Sequence, residues 1–216
     1  MALNINGTTG ISGVDGSVSA PAVTGTDSNT GITFPAADTI KFATGGVERM
    51  SITNSGVTGI TAGITMADQW RITASFNSSD ATLVNNWERH DTYGAGTIGS
   101  SLMSTPSSGV FTFPSTGIYQ IYFFASAVHS TETRYVGILI KTTTDDSNYN
   151  IIANTYDSIG DDANAFSSIS CATLFDVTDI STHKVKFDVQ AENSVAWEGH
   201  TSNSRTSVIF LRLGDT

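Results

Sequence analysis

The sequence predicts an all-β chain: an extended N-terminal arm, a short β stem, and then a jelly-roll β-sandwich. Three observations carry this. Gly (20 residues), Ser, Thr and Asn recur throughout, and long runs of Ala, Leu, Glu and Lys are missing, a mixture that suits strands joined by turns. Beyond residue 66, apolar residues alternate with polar ones in many short runs separated by turn-rich pieces. The large side chains are unevenly divided: all three Trp and all six Tyr lie beyond residue 66, and the only Phe before it are Phe34 and Phe42. These observations set the boundaries at 1–30 for the arm, 31–66 for the stem and 67–216 for the head.

The arm, "NGTTGISGVDGSVSAPAVTGTDSNTG", has Gly-bounded steps too short for a helical period or a long strand. In the stem, "DTIKFATGGVERMSIT" places Ile40 and Phe42, then Met50 and Ile52, at alternate positions around Gly45-Gly46. This predicts a hairpin with one apolar face. "TGIT" occurs at residues 30–33 and again at 58–61, with "GIT" at 63–65. An isolated hairpin is marginal in water, so the stem is expected to bury its face against copies of itself or another protein.

In the head, "GVFTFPSTGIYQIYFFASAV" reads as a strand over 109–114, a turn at 115–117 and a long central strand over 118–128. The long strand is apolar on both sides, so both sides are expected to be covered. One side meets the opposite sheet, and the other meets a sister subunit. The lone Cys171 makes no intrachain disulfide and reads as a buried, inert thiol.

Composition and motifs exclude several functions. A net charge of −10 argues against binding nucleic acid through a basic surface. No apolar run reaches membrane-spanning length, and "MALNINGTTG" lacks the basic and apolar regions of a secretory signal, so a cytoplasmic origin without membrane insertion is expected. There is no G-x-S-x-G, phosphate-binding glycine loop, H-E-x-x-H or zinc-type Cys spacing, and no enzyme activity is expected. "WERH" at 87–90 and "WEGH" at 197–200 share Trp-Glu-x-His. Two such pairs would suit a transition metal, or a sugar site with Trp197 and His200; alternatively both Trp simply pack in the sandwich. The acidic pairs Asp145-Asp146 and Asp161-Asp162 offer oxygen ligands to calcium, but the twelve-residue calcium-loop pattern is absent, and no cofactor or metal is assigned.

Two resemblances add to this reading. "SGVFTFPSTGIYQIYFFASAV", with "CATLFDVTDISTHKVKFDVQ" and "SVIFLRLGDT", resembles the jelly-roll heads of complement's q-subcomponent and of the tumour necrosis factor cytokines over about residues 67–216. The turn at Asp179-Ile180 departs from that family's Gly-Asp pair. The resemblance implies a homotrimer with aromatic strands at the threefold axis, and so Phe111, Tyr119, Tyr122 and Phe124 at the trimer interface.

"DTIKFATGGVERMSITNSGVTGIT" is similar to the F-x-T-G-G-x-E-R-M-x-I-x-x-x-G segment of bacteriophage tail-fibre and other virion proteins. The matches are Phe42, Thr44, Gly45, Gly46, Glu48, Arg49, Met50, Ile52 and Gly56. This implies a virion protein that attaches to other virion proteins through its arm, with Ile5, Ile11, Val14 and Val18 as the apolar contacts. The expected function is a trimeric short tail fibre or spike whose head contacts a host-surface glycan or protein. The alternative is a trimeric capsid decoration protein. Host contacts are expected from turn residues Asp145, Asp146, Asn148, Asp161, Asp162 and Asn203, because loops on a rigid scaffold carry binding. A bacterial complement-like lectin would want a signal peptide, and a depolymerase would want paired carboxylates in a groove.

Overall fold

The structure, a computed structural model, describes residues 4–6, 10–12, 15–59 and 63–216, and no helix occurs among them. The chain divides into two compact units, Met1–Ala62 and Gly63–Thr216.

In the first unit, β1 (Asn4–Asn6) pairs with β2 (Gly10–Ser12), setting Ile5 opposite Ile11. β3 (Gly16–Ser17) pairs with β4 (Ala20–Pro21). Then β5 (Val23–Thr24), β6 (Gly31–Ala36), β7 (Thr39–Thr44), β8 (Val47–Thr53) and β9 (Gly56–Thr58) form an antiparallel meander in chain order. The predicted hairpin is β7–β8. Thr44 faces Val47 across Gly45 and Gly46, whose φ angles of 60° and 75° are the two left-handed positions of a type I′ turn.

Direct pairing of Val23 with Ile32, Ile32 with Phe42, Phe42 with Met50, Ile40 with Ile52 and Ile52 with Val57 gathers the apolar residues on one face. That face is open: Val23, Phe34, Ile40, Ile52 and Val57 are all exposed. Thr33, Ala43 and Ser51 are buried instead. The reason is local. Both the Phe34 N–H and the Thr33 hydroxyl donate to the Asp15 carbonyl at 2.7 Å, and β3 packs on β6. Residues 15–30 are therefore not a free extended arm. They fold back onto the sheet and give it its edge strand β5, because the small side chains of that face admit close approach.

The second unit is an all-β sandwich of jelly-roll type, with every strand pairing antiparallel. Its strands are β10 (Met66–Ile72), β11 (Phe76–Thr82), β12 (Trp87–Arg89), β13 (Phe111–Thr112), β14 (Gly117–His129), β15 (Thr133–Thr143), β16 (Asn150–Ile159), β17 (Ala165–Val177), β18 (Lys184–Trp197) and β19 (Ser207–Gly214). One layer runs β12-β10-β19-β14-β17, and the other β16-β15-β18-β11 with β13 beside β18. β14 also meets β18 through Ala127–Trp197 and Val128–Ala196, which joins the layers at one end.

Phe111 is the hub of the core. Its ring centroid lies 5.6 Å from Trp70, 5.1 Å from Trp87, 5.7 Å from Phe187 and 5.3 Å from Phe210. Gly117 opens β14 where a Cβ would come within 2.5 Å of the Gly214 carbonyl, so this position requires glycine. Charge also enters the core. Asp68 is buried and accepts from Arg89 Nε (2.8 Å) and Nη2 (3.1 Å), Trp70 Nε1 (3.1 Å) and the Met103 N–H (3.1 Å). With every partner present, the buried carboxylate is tolerated.

Candidate functional site

β14 alternates strictly. Tyr119, Ile121, Phe123, Ala125 and Ala127 point into the sandwich and are buried, while Ile118, Gln120, Tyr122, Phe124, Ser126 and Val128 point outward and are half-buried. Registers extend this outer face sideways. Gln120 and Tyr122 face Leu174 and Ala172 on β17, and Leu211 and Ile209 on β19. Tyr122 and Phe124 stack at 6.2 Å with 12° between their planes. Leu174 is 57% exposed. The result is a broad apolar face on this layer. On β10 and β12 the face becomes polar, because the Gln69 amide bonds His90 (2.6 Å) and Arg71 reaches Glu88 (2.7 Å).

The outer side of the other layer differs. Lys141 faces Lys186, Leu139 faces Asp188 and Thr143 faces Lys184 across β15 and β18. Lys141 pairs with Asp188, and Lys186 lies over the Tyr149 ring at 4.5 Å. The charged groups on this side are thus met within the chain, but Tyr135, Ile151 and Tyr156 are exposed beside them, so apolar surface is not confined to the bare face around Tyr122 and Phe124.

This divides the expected interface residues. Tyr122 and Phe124 lie on the bare face. Phe111 and Tyr119 do not: both are 0% exposed within a single chain. Apolar residues on both parities of the run masked the inward one, although its polar residues, Gln120 and Ser126, both fall on the outward parity. The run also hid Leu174, Ile209 and Leu211, although "ATLFDV" and "SVIFLRLG" are apolar on both parities and carried the same signal.

Of the expected attachment residues, Ile5 and Ile11 oppose each other on β1 and β2, and Val18 is half-buried in the β3–β4 turn. Val14 lies outside the described residues.

The expected host contacts separate to opposite ends of the head. Thr142–Asn150 and Thr143–Lys184 pairing puts Asp145, Asp146 and Asn148 beside the 178–183 loop, the end where the chain enters β10. Thr133–Ile159 and Val128–Phe166 pairing puts Asp161 and Asp162 at the far end, with Asn203 in the loop between β18 and β19. The six residues therefore do not share one surface.

Asp145 is also occupied. Its carboxylate accepts from Asn148 Nδ2 (2.6 Å), the Asn148 N–H (2.8 Å), Thr143 Oγ1 (2.8 Å) and the Ser147 N–H (3.0 Å). The Asn148 side chain and then the Asn148 backbone lead in holding its carboxyl far below the ordinary 3.8. A depressed value means that the carboxylate's contribution is present above the unfolded-state pKa and lost only as the pH falls through the folded one. The Ser147 and Asn148 amide resonances are therefore expected to hold their positions in an NMR titration past pH 3.8 and to move only in stronger acid. In Asp145→Ala they are expected to be displaced at every pH.

The two Trp-Glu-x-His segments hold no joint site. Trp197 is 0% exposed and donates from Nε1 to the Ser78 carbonyl (3.1 Å), so it offers no platform to a sugar. Trp87 donates to the Leu83 carbonyl (2.7 Å) and meets Phe111 edge-on. Glu88 is bound by Arg71, and Glu198 by Arg205 and Ser126. Among the described residues, no three His, Cys, Asp or Glu side chains gather within reach of one ion. Cys171 is half-buried against the core, and burial pushes its thiol up to about 11.

No known family profile matches the chain, and no curated protein matches it. Solved structures do. Murine APRIL at pH 5.0 matches with a TM-score of 0.51 at 12% identity, over 70% of this chain and 100% of that one. Eiger TNF from S. frugiperda matches with a TM-score of 0.55 at 11% identity, over 72% of this chain and 96% of that one. The fold is a TNF-like jelly roll. At these identities the likeness is one of fold.

Proposed function

We propose that the protein is a phage virion structural component, a homotrimer built as a short tail fibre or spike. On this reading the first unit attaches to neighbouring virion proteins and the head meets the host surface. The observation that carries the reading is a pair of uncovered apolar sheet faces in one chain: the outer face around Tyr122, Phe124, Leu174 and Ile209, and the open face of the β5–β9 meander. Contiguous apolar area of this kind marks an interaction surface. Identical chains around an axis would cover both faces, and the TNF-like fold of the head is consistent with this. The virion assignment rests on the segment from Phe42 to Gly56, which forms the β7–β8 hairpin and the turn after it. Host contact falls to the far-end loops with Asp161, Asp162 and Asn203. Weak single contacts suffice where a particle presents many heads.

The decoration reading differs in copy number. It gains from the first unit being a compact folded sheet of 62 residues at most. Light scattering of the full chain tests the trimer, with an expected mass of three times 22.7 kDa; a stable monomer overturns it. Counting copies per particle by quantitative mass spectrometry separates the readings, few for a fibre and hundreds for decoration. Absence from purified particles overturns both.

A further inference from the structure

At the far end of the head, registers align a single outward-facing row across four strands: Asn77 opposite Ala196, Ala196 opposite Val128, and Val128 opposite Phe166. Here the two layers are joined, so the row is continuous from β11 to β17. A cleft of about 320 Å³ lies over it, with Ala196 and Val128 as its apolar members and Asn77, His129, Ser130, Asn164 and Ser194 as its polar ones. None of these side chains is a carboxylate, an ammonium or a guanidinium. Phe166, next in the row, is 62% exposed, the most exposed Phe of the head.

The polar groups are available. Asn77, Asn164 and Ser194 are exposed, and their side chains bond no other group among the described residues. His129 Nδ1 lies 2.9 Å from the Thr131 carbonyl, which can only accept. The Thr131 and Thr133 hydroxyls also lie 3.1 Å from Nδ1, so this nitrogen is engaged within the chain in either tautomer, and Nε2, which has no partner among the described residues, is left to donate or accept. The cleft therefore offers two amides, hydroxyls and an imidazole nitrogen above an apolar floor, with an aromatic face alongside.

We infer that this cleft binds a neutral sugar. A pyranose has an apolar C–H face that packs on an aromatic ring and a rim of hydroxyls that both donate and accept, as amides do. The uncharged lining gives no counter-ion for an anionic ligand, and an open cleft of this size takes about one ring. Single-site affinity on the order of millimolar suffices when many heads act together. The inference deepens the host-contact reading.

The test is saturation-transfer NMR on the full chain, with methyl glycosides of glucose, galactose, mannose and N-acetylglucosamine, and N-acetylneuraminic acid as the anionic probe. Transfer to ring protons of at least one neutral glycoside is expected, weakened about tenfold or more in Phe166→Ala or Asn77→Ala. Both positions are exposed, and light scattering confirms that the variants keep their mass. The inference is overturned if no neutral glycoside receives transfer, if only the anionic sugar does, or if neither variant weakens it. Such a failure would leave the trimer mass and the particle copy number untouched, so it is separable from failure of the virion reading.

Discussion

Tyr122→Asp is expected to turn the proposed trimer into single chains of 22.7 kDa that aggregate on concentration. Tyr122 faces outward from the middle of the bare layer, stacked on Phe124 and flanked by Ala172 and Ile209. A carboxylate there would be taken from water with no cation beside it, and breaking a buried interface in this way costs several kcal/mol. The chain's own core does not include Tyr122, so far-ultraviolet dichroism of the variant is expected to keep its β signature. Light scattering against concentration reads the result. A variant that remains a soluble trimer would remove this face from the interface.

Phe111→Ala is expected to act in the opposite sense, on folding and not on assembly. Its ring touches four others and no solvent. Removing a fully enclosed phenyl group costs about 3–5 kcal/mol, a large share of the roughly 5–15 kcal/mol that stabilises a domain. Denaturant unfolding is expected to shift to a much lower midpoint, with the trimer intact wherever the head remains folded. If Phe111→Ala dissociated the trimer and left the melting of the head unchanged, the hub assignment would fail. The two variants together distinguish the core parity from the outer parity of the same sequence run.

That distinction marks the limit of the sequence. Strand positions, the Gly45-Gly46 turn and the sandwich class followed from period and turn chemistry, which are local. Which parity of "GIYQIYFFASAV" faces inward is marked in the run only by Gln120 and Ser126, which share the outward parity; its aromatic residues fall on both and do not record it. Tyr122 and Phe124 were legible as interface candidates, but Phe111 and Tyr119 carried the same apolar signal and belong to the core. The turn acids were legible as turns. Their assignment to opposite ends depends on the pairings Thr143–Lys184 and Thr133–Ile159, between strands distant in sequence. Asp68 was hidden for a related reason: a carboxylate inside a sandwich makes sense only beside Arg89, Trp70 and the Met103 amide, which the fold brings to it. The short Gly-rich steps of the arm carry no period and predict an extended segment, although the Asp15 carbonyl gives it its anchor.

In the head, the first strand and the last are hydrogen-bonded neighbours: Met66 faces Arg212 and Trp70 faces Val208. The meander of the first unit instead pairs each strand with the next. The consequence is one of timing during synthesis. The meander can close as soon as its residues leave the ribosome, since its contacts are local and local contacts form fast. The head must wait for β19, with the facing edges of β10 and β14 unpaired meanwhile, and open strand edges are where β-rich chains are exposed to misassociation. Under the proposed self-association, neighbouring nascent chains would meet through their N-terminal sheets before any head is complete, an order of events that would set the copies in register before the large apolar surfaces appear.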